Sequence, residues 1–303
     1  MKAMILAAGV GERLRPLTKV CPKALVPVVN RPILERTIGF LQSYGIREII
    51  INAHYHHQKI TDYFKSGNCP GGKIEIRVEE EILGTGGGVR NTRDFWDKEP
   101  FIVINGDILT DIDLSKACEF HLQEGNLVTM VLHDFPVFNN VKADDRMNIL
   151  SIEQGTDLEG ALAFTGIHVI NPDVLEYIPE NRNYSIIECY KELIGLNKPI
   201  RGYLATGHRW IDIGTIANYL EANIRHLPPE RIAAADECLI DPDACLDDWA
   251  VVGKGSSIES NALIRRSVLW DDVIVSKGIK VVDSIVTSGV IVEKDLFREV
   301  VVR

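Results

Sequence analysis

Residues 6–35 read LAAGVGERLRPLTKVCPKALVPVVNRPILE. The β-prone run 3–7 feeds directly into this stretch and meets two glycines, Gly9 and Gly11. Glycine lets the backbone turn tightly and approach a phosphate with its N–H groups exposed. Arg13 follows with a planar fork of donors suited to phosphate oxygens. Through residue 31 the basic residues Lys2, Arg13, Arg15, Lys19, Lys23 and Arg31 face Glu12 alone, so a cationic loop stands in an acidic chain and predicts an anionic ligand. The turn is not a dinucleotide fingerprint. Leu14 occupies the place of the third glycine in G-x-G-x-x-G, with Arg13 just before it, and Asn52-Ala53 ends the second strand without an acid. It also lacks the G-K-[ST] of a P-loop.

Outward from the loop, Ile33, Ile38, Leu41 and Tyr44 fall at near-helical spacing, with Pro32 opening the helix. Apolar β-rich runs at 3–7, 48–52, 73–78, 101–105, 127–133 and 162–170 alternate with helical patterns. This is the pattern of βαβ units, hence an α/β fold with a Rossmann-like, mixed but mostly parallel sheet covered on both faces. Ligands of such sheets sit beyond the carboxyl ends of the strands, where the first turn lies. Leu227-Pro228-Pro229-Glu230 stops a helix over 216–226. Further on, Val252, Ile258 and Ile264 are six apart, as are Val273, Ile279, Ile285 and Ile291. One buried aliphatic per six residues predicts a short left-handed parallel β-helix of hexapeptide repeats, about three coils long. The expected division is a domain over 1–227, a linker over 228–244 and the β-helix over 245–303.

The chain has 303 residues, 46% apolar and 25% charged, enough for a substantial core and two domains. The opening MKAMILAAG is too brief for a secretory signal and no run reaches a membrane span. Six cysteines (Cys21, Cys69, Cys118, Cys189, Cys238, Cys245) without a C-x-x-C pair fit reduced thiols, and the expectation is a cytoplasmic protein. A net charge of -10 argues against nucleic acid as a partner.

The opening string, through Pro22, Lys23, Leu25, Pro27 and Pro32, closely resembles the signature of the sugar-1-phosphate nucleotidyltransferases, whose fold is the nucleotide-diphospho-sugar transferase fold. The resemblance implies that Gly9 and Gly11 wrap the nucleotide phosphates, that Arg13 stabilises the α-phosphate in the transition state, and that Lys23 contacts the phosphates or the leaving pyrophosphate. Glu12 departs from the usual Gly, Ser or Thr and is shared with relatives that resemble uridylyltransferases. EEILGTGGGVRN (80–91) looks like the family's nucleobase loop. The implied nucleotide-binding set is Leu6, Ala7, Ala8, Gly9, Gly11, Glu80, Gly84, Thr85 and Gly86. Glu79 or Glu80 could accept from guanine N1–H and N2–H, whereas uracil offers one donor; this tilts the reading to GTP over UTP.

FIVINGDILTD places Asp107 just past a strand's carboxyl end, where a hard oxygen donor suits Mg²⁺. Asp107 resembles the family's first metal ligand; HRWIDIGT resembles the W-x-D-[VI]-G-T segment and makes Asp212 the second. Asp111 and Asp113 read as turn residues or a helix cap. FTGIHVI and YSIIE resemble the sugar-holding segments, with Gly166 permitting close approach and Glu188 accepting from hydroxyls. Many relatives carry a Glu-Lys-Pro lysine for the sugar phosphate; Gln154 follows Glu153 here, leaving Arg146, Arg201 and Arg209 as candidate cations. His54, His56 and His57 crowd a strand-to-helix connection and read as surface or capping residues. The implied catalytic set is Arg13, Lys23 and Asp107, acting on a nucleoside triphosphate and a sugar 1-phosphate, with homo-oligomerisation through the β-helix. Acyl transfer by the β-helix is disfavoured, because no histidine follows His226. A regulatory subunit that has lost catalysis would lack Arg13, Lys23 or a metal aspartate, and all are present.

Overall fold

The computed structural model describes residues 1–67, 71–155 and 158–303; Cys69 lies outside them. The chain forms two compact units, Met1–Gly9 with Glu35–Ile211, and Val10–Leu34 with Asp212–Arg303.

The first unit is built on a seven-stranded sheet of β1 (Ala3–Leu6), β2 (Glu48–Ala53), β3 (Lys73–Val78), β4 (Phe101–Asn105), β5 (Val128–His133), β6 (Ala163–Ile170) and β7 (Ile200–Leu204). Their order is β7-β5-β6-β4-β1-β2-β3. All neighbours are parallel except β6, which runs antiparallel to both β4 and β5. The central strands are buried on both faces: Ile49, Ile50 and Ile51 are fully covered, as near-continuous apolar runs of a parallel sheet must be. Edge strand β3 instead mixes Lys73, Glu75 and Arg77 into its apolar positions, and these charges blunt pairing with another chain. The six strands expected from the sequence are all present within a residue at either end. β7 was not expected, since Arg201 and Gly202 interrupt its apolar run; it lies at the other edge, where such residues are tolerated.

The α-helices longer than one turn among the described residues are α1 (Ile33–Ser43), α2 (His57–Lys65), α3 (Gly84–Arg90), α4 (Leu114–Glu124), α5 (Ile186–Gly195) and α6 (Ile216–His226). Asp113 caps α4 by accepting from Ser115 N at 3.0 Å, and Gly125 closes it in the left-handed conformation, as caps of either end commonly do.

In the second unit, short parallel strands stack as a β-helix. The registers Leu239↔Ser257↔Ile274↔Ile291 advance by 18, 17 and 17 residues, one coil of three sides per step. Three columns fill its axis: Val252, Leu269 and Val286; Ile258, Val275 and Val292; Ile264, Val281 and Leu296. The inward series therefore runs 252, 258, 264, 269, 275, 281, 286, 292, with a five-residue side at 264–269 and again at 281–286. The sequence-derived series 273, 279, 285, 291 drifts off the axis, and Ile291 faces outward at 59% exposure. The shortened side turns at Arg266 and Asp283, both left-handed. Residues 232–234 and 239–240, assigned to a linker by the sequence, are strands of the first coil; their lone aliphatics carry too little pattern to read. No helix among the described residues is long and apolar enough to cross a membrane, and no disulfide joins the described cysteines.

Candidate active site

The loop after β1 is shaped by Gly11, which sits at φ +69°. Its carbonyl accepts from Thr18 Oγ1 at 2.8 Å. A Cβ on Gly11 would lie 2.8 Å from Thr18 Cγ2 and 3.3 Å from Lys23 Cβ, so only glycine fits the turn. Arg13 and Lys23 then converge on Asp212. Arg13 Nη2 lies 3.5 Å from Asp212 Oδ2 and Lys23 Nζ 3.8 Å from Oδ1. The Lys23 and Asp212 side chains are 15% and 14% exposed, whereas Arg13 is 63% exposed and reaches outward. Two cations thus stand beside one carboxylate, with Lys23 and Asp212 partly buried, where charges act strongly.

The W-x-D-I-G-T segment is arranged to present that carboxylate. Thr215 caps α6 by accepting from Asn218 N at 3.2 Å, and Asn218 Nδ2 donates to Asp212 O at 2.7 Å. The side chain of Asp212 is thus spared from capping. Gly214 is the glycine of that segment, two residues past Asp212. A Cβ there would stand 2.9 Å from both Arg13 Nη2 and Asp212 Oδ2, so glycine is what lets the pair close. Residues 29 and 30 are tied to α6 and to the β-helix: Val29 N donates to Asn223 Oδ1 of α6 at 2.8 Å, and Asn30 Nδ2 donates to Ala233 O and Val252 O of the coil at 3.2 and 2.9 Å.

In the sheet unit, Asp107 stands beyond the carboxyl end of β4. Gly106 N donates to Leu6 O at 2.9 Å, and a Cβ on Gly106 would be 2.8 Å from that oxygen, which holds the ends of β1 and β4 together beneath Asp107. Ala7 N donates to Asn52 Oδ1 at 2.8 Å and Asn52 Nδ2 to Glu79 Oε1 at 2.7 Å. The other Glu79 oxygen accepts from Leu83 N at 3.2 Å. Burial pushes the Glu79 carboxyl up, partly offset by the Asn52 and Leu83 donors. Of the two acids open for the nucleobase, Glu79 is a buried strut and Glu80 is exposed. Asn52 was missed by the sequence reading, which saw in it only the lack of an acid at the end of the second strand.

The glycine-rich loop is helix α3, packed on the chain at 182–186. Cβ atoms on Gly84, Gly86 and Gly87 would lie 2.7, 3.0 and 2.6 Å from Tyr184 O, Ile186 N and Arg182 O, and one on Gly88 2.7 Å from Asn52 Nδ2. Gly166, at φ +78°, occupies an irregularity of β6 between Phe164 and His168, and a Cβ there would meet Asn105 Nδ2 at 2.6 Å. Its absent side chain is thus already used within the sheet. Glu188 is exposed and closes a capping box by accepting from Ser185 N at 3.0 Å.

Trp210 donates from Nε1 to Thr165 O at 2.9 Å and packs edge-on to His133 and beside Phe135 and Phe138. Burial, then the neighbouring His208, lower the His133 imidazole to about 4. Of the candidate cations, Arg201 is paired with Glu124 and bonded to Asn148. Arg209 is held by Asp111 at 2.8 Å yet 77% exposed, so Asp111 orients this arginine. His54 Nδ1 meets Glu79 O at 2.8 Å and His56 precedes α2. Among the described residues no group of three or more His, Cys, Asp or Glu side chains gathers as a metal cage.

The family model of nucleotidyl transferases matches residues 2–227. The chain belongs to the nucleotidyl transferase family. The chain is 31% identical over 242 residues to the UTP–glucose-1-phosphate uridylyltransferase of Synechocystis, a match covering 73% of this chain and 62% of that protein. It is 28% identical over 293 residues to the mannose-1-phosphate guanylyltransferase of Mycobacterium tuberculosis, covering 91% and 81%. The chain thus spans less than two thirds of the first relative's length and most of the second's. Among solved structures it is similar to HddC from Yersinia pseudotuberculosis complexed with GMP-PN, at 26% identity and a TM-score of 0.63, covering 74% of this chain and 98% of that one.

Proposed function

We propose that this nucleotidyl transferase joins a nucleoside triphosphate to a sugar 1-phosphate and releases pyrophosphate, with guanylyl transfer to mannose 1-phosphate or a related sugar as its reaction. The convergence of Arg13 and Lys23 on Asp212 behind a glycine turn carries this reading. A sugar-phosphate oxygen attacks the α-phosphorus in line; the bond to the bridging oxygen breaks and pyrophosphate leaves with its electrons. The nucleophile is already anionic near neutral pH, so no general base is needed. Arg13 stabilises charge on the reacting phosphate, and Lys23 neutralises the departing one, the positioning and charge neutralisation that phosphoryl transfer chiefly requires.

The resemblance makes Asp107 and Asp212 hard oxygen donors, the ligand chemistry of an ion that keeps waters and substrate phosphates in its shell. A Mg²⁺ ion held by these two carboxylates would offset charge on the phosphate oxygens. Glu80 accepts from the base, and Arg209, exposed next to Trp210, takes the place of the missing Glu-Lys-Pro lysine. The guanylyltransferase match over 91% of the chain and the likeness to HddC with GMP-PN support GTP. The uridylyltransferase match supports UTP as the second reading. Residues 1–227 form the catalytic domain in this account. Leu239 and Ile291, 71% and 59% exposed on one face of the coil, support self-association there. Pairing of a protein with soluble substrates of this kind fits the cytoplasm.

Pyrophosphate release should be measured across GTP, UTP and other triphosphates crossed with mannose, glucose, N-acetylglucosamine, N-acetylmuramate and heptose 1-phosphates. GTP with mannose 1-phosphate or a near relative should be active, and Asp107→Ala should abolish it. Silence across the panel, with nucleotide sugar still bound, would replace catalysis with a regulatory binding role.

A further inference from the structure

Resting on the proposed transfer reaction, we infer that Thr85 is a positioning residue that couples the nucleobase loop to the sugar-binding helix, not a nucleotide contact. The first amides of a helix lack intrahelical partners. In α5 two of them are met locally: Ile187 N donates to Ser185 Oγ at 3.2 Å, and Glu188 N to Ser185 O at 3.1 Å. The first, Ile186 N, donates across the fold to Thr85 Oγ1 at 2.9 Å. The hydroxyl of Thr85 is therefore an external cap on the helix that carries Glu188.

A continuous seam surrounds that bond. Asn183 Nδ2 donates to Ile82 O at 3.0 Å and Tyr184 N to Leu83 O at 2.9 Å, while Gly86 N and Gly87 N donate to Tyr184 O at 2.9 and 3.1 Å. The main chains of 82–87 and 182–186 approach so closely that a Cβ at 84, 86 or 87 would overlap backbone atoms. Two segments locked in this way move together, so the loop that reads the base and the turn that aims Glu188 form one body. Displacing the loop displaces Glu188, and a base that seats the loop also sets the sugar subsite.

The test compares Thr85→Val, which keeps shape and loses the acceptor, with Thr85→Ser, which restores it. Amide exchange over 184–190 in the ligand-free protein should rise about five- to tenfold in Thr85→Val, the loss expected of one hydrogen bond, and return in Thr85→Ser. KM for the sugar 1-phosphate should rise about threefold to tenfold in Thr85→Val, with KM for the triphosphate nearly constant and Thr85→Ser close to wild type. Unchanged exchange, or a rise confined to the triphosphate KM, would overturn the inference. Should the unaltered chain be silent with every substrate pair, the exchange result would still decide whether Thr85 caps the helix, and the coupling would fall together with the catalytic reading.

Discussion

Two glycine-rich loops, both expected to grip the nucleotide, use glycine for opposite reasons. A Cβ on Gly9 would meet no described heavy atom within 4 Å, whereas those on Gly84, Gly86, Gly87 and Gly88 would each strike the chain itself at 3.0 Å or less. The phosphate loop keeps open space at Gly9 and tight geometry at Gly11; the loop at 84–88 is closed by its own neighbours. Glycine runs alone do not distinguish a cradle for a ligand from a seam for the backbone. The difference lies in what a methyl group would touch.

This contrast can be broken at several levels. The largest expected effect is of pH on the sheet unit, which houses the loop at 84–88. Burial lowers His121 and His133 to about 4 and His168 to about 3 from an ordinary 6.5. Protonation is therefore disfavoured when folded, and the unfolded chain binds more protons as pH falls. Stability should be complete above pH ~6.5 and decline below it by about 1.4 kcal/mol per pH unit for each imidazole until its folded pKa is reached. Urea titrations at pH 7.5, 6 and 5 would read this, and a flat profile would deny the burial of these rings. Next, Gly87→Ala should lower stability by about 1–3 kcal/mol, the cost of overpacking against Arg182 O, seen as a lower urea midpoint. Smallest is Gly9→Ala: its urea midpoint should match that of the unaltered protein, while KM for the triphosphate rises several-fold. If Gly9→Ala unfolded the protein and Gly87→Ala did not, the contrast would be inverted.

Much of this was legible in the residues. Six of seven sheet strands could be read because both faces of a parallel sheet are apolar, and the family resemblance pointed to Arg13, Lys23 and Asp212, whose side chains meet in the fold. β7 hid behind Arg201 and Gly202 at an edge. The coil register slipped because a left-handed corner removes one residue per coil, which a fixed six-residue count does not anticipate. Asn52 and Thr85 act through partners 27 and 101 residues away and Gly214 through its clearance for Arg13 in the first loop, and no local pattern encodes such pairings. Gly166 was read as permitting close approach of a sugar and Glu79 or Glu80 as accepting from a base; in the fold Gly166 also sits at a β-sheet irregularity and Glu79 also forms a buried strut with Asn52.

The central claim is that the phosphate loop serves the reacting phosphate and not the fold. Arg13→Ala tests it most directly, since its side chain is 63% exposed and its loss removes little packing. Steady-state pyrophosphate release with the active substrate pair, alongside thermal melting, is the measurement. The account predicts a fall in kcat of about 10²–10³-fold with the melting temperature unchanged. A kcat within a few-fold of the unaltered protein would contradict it.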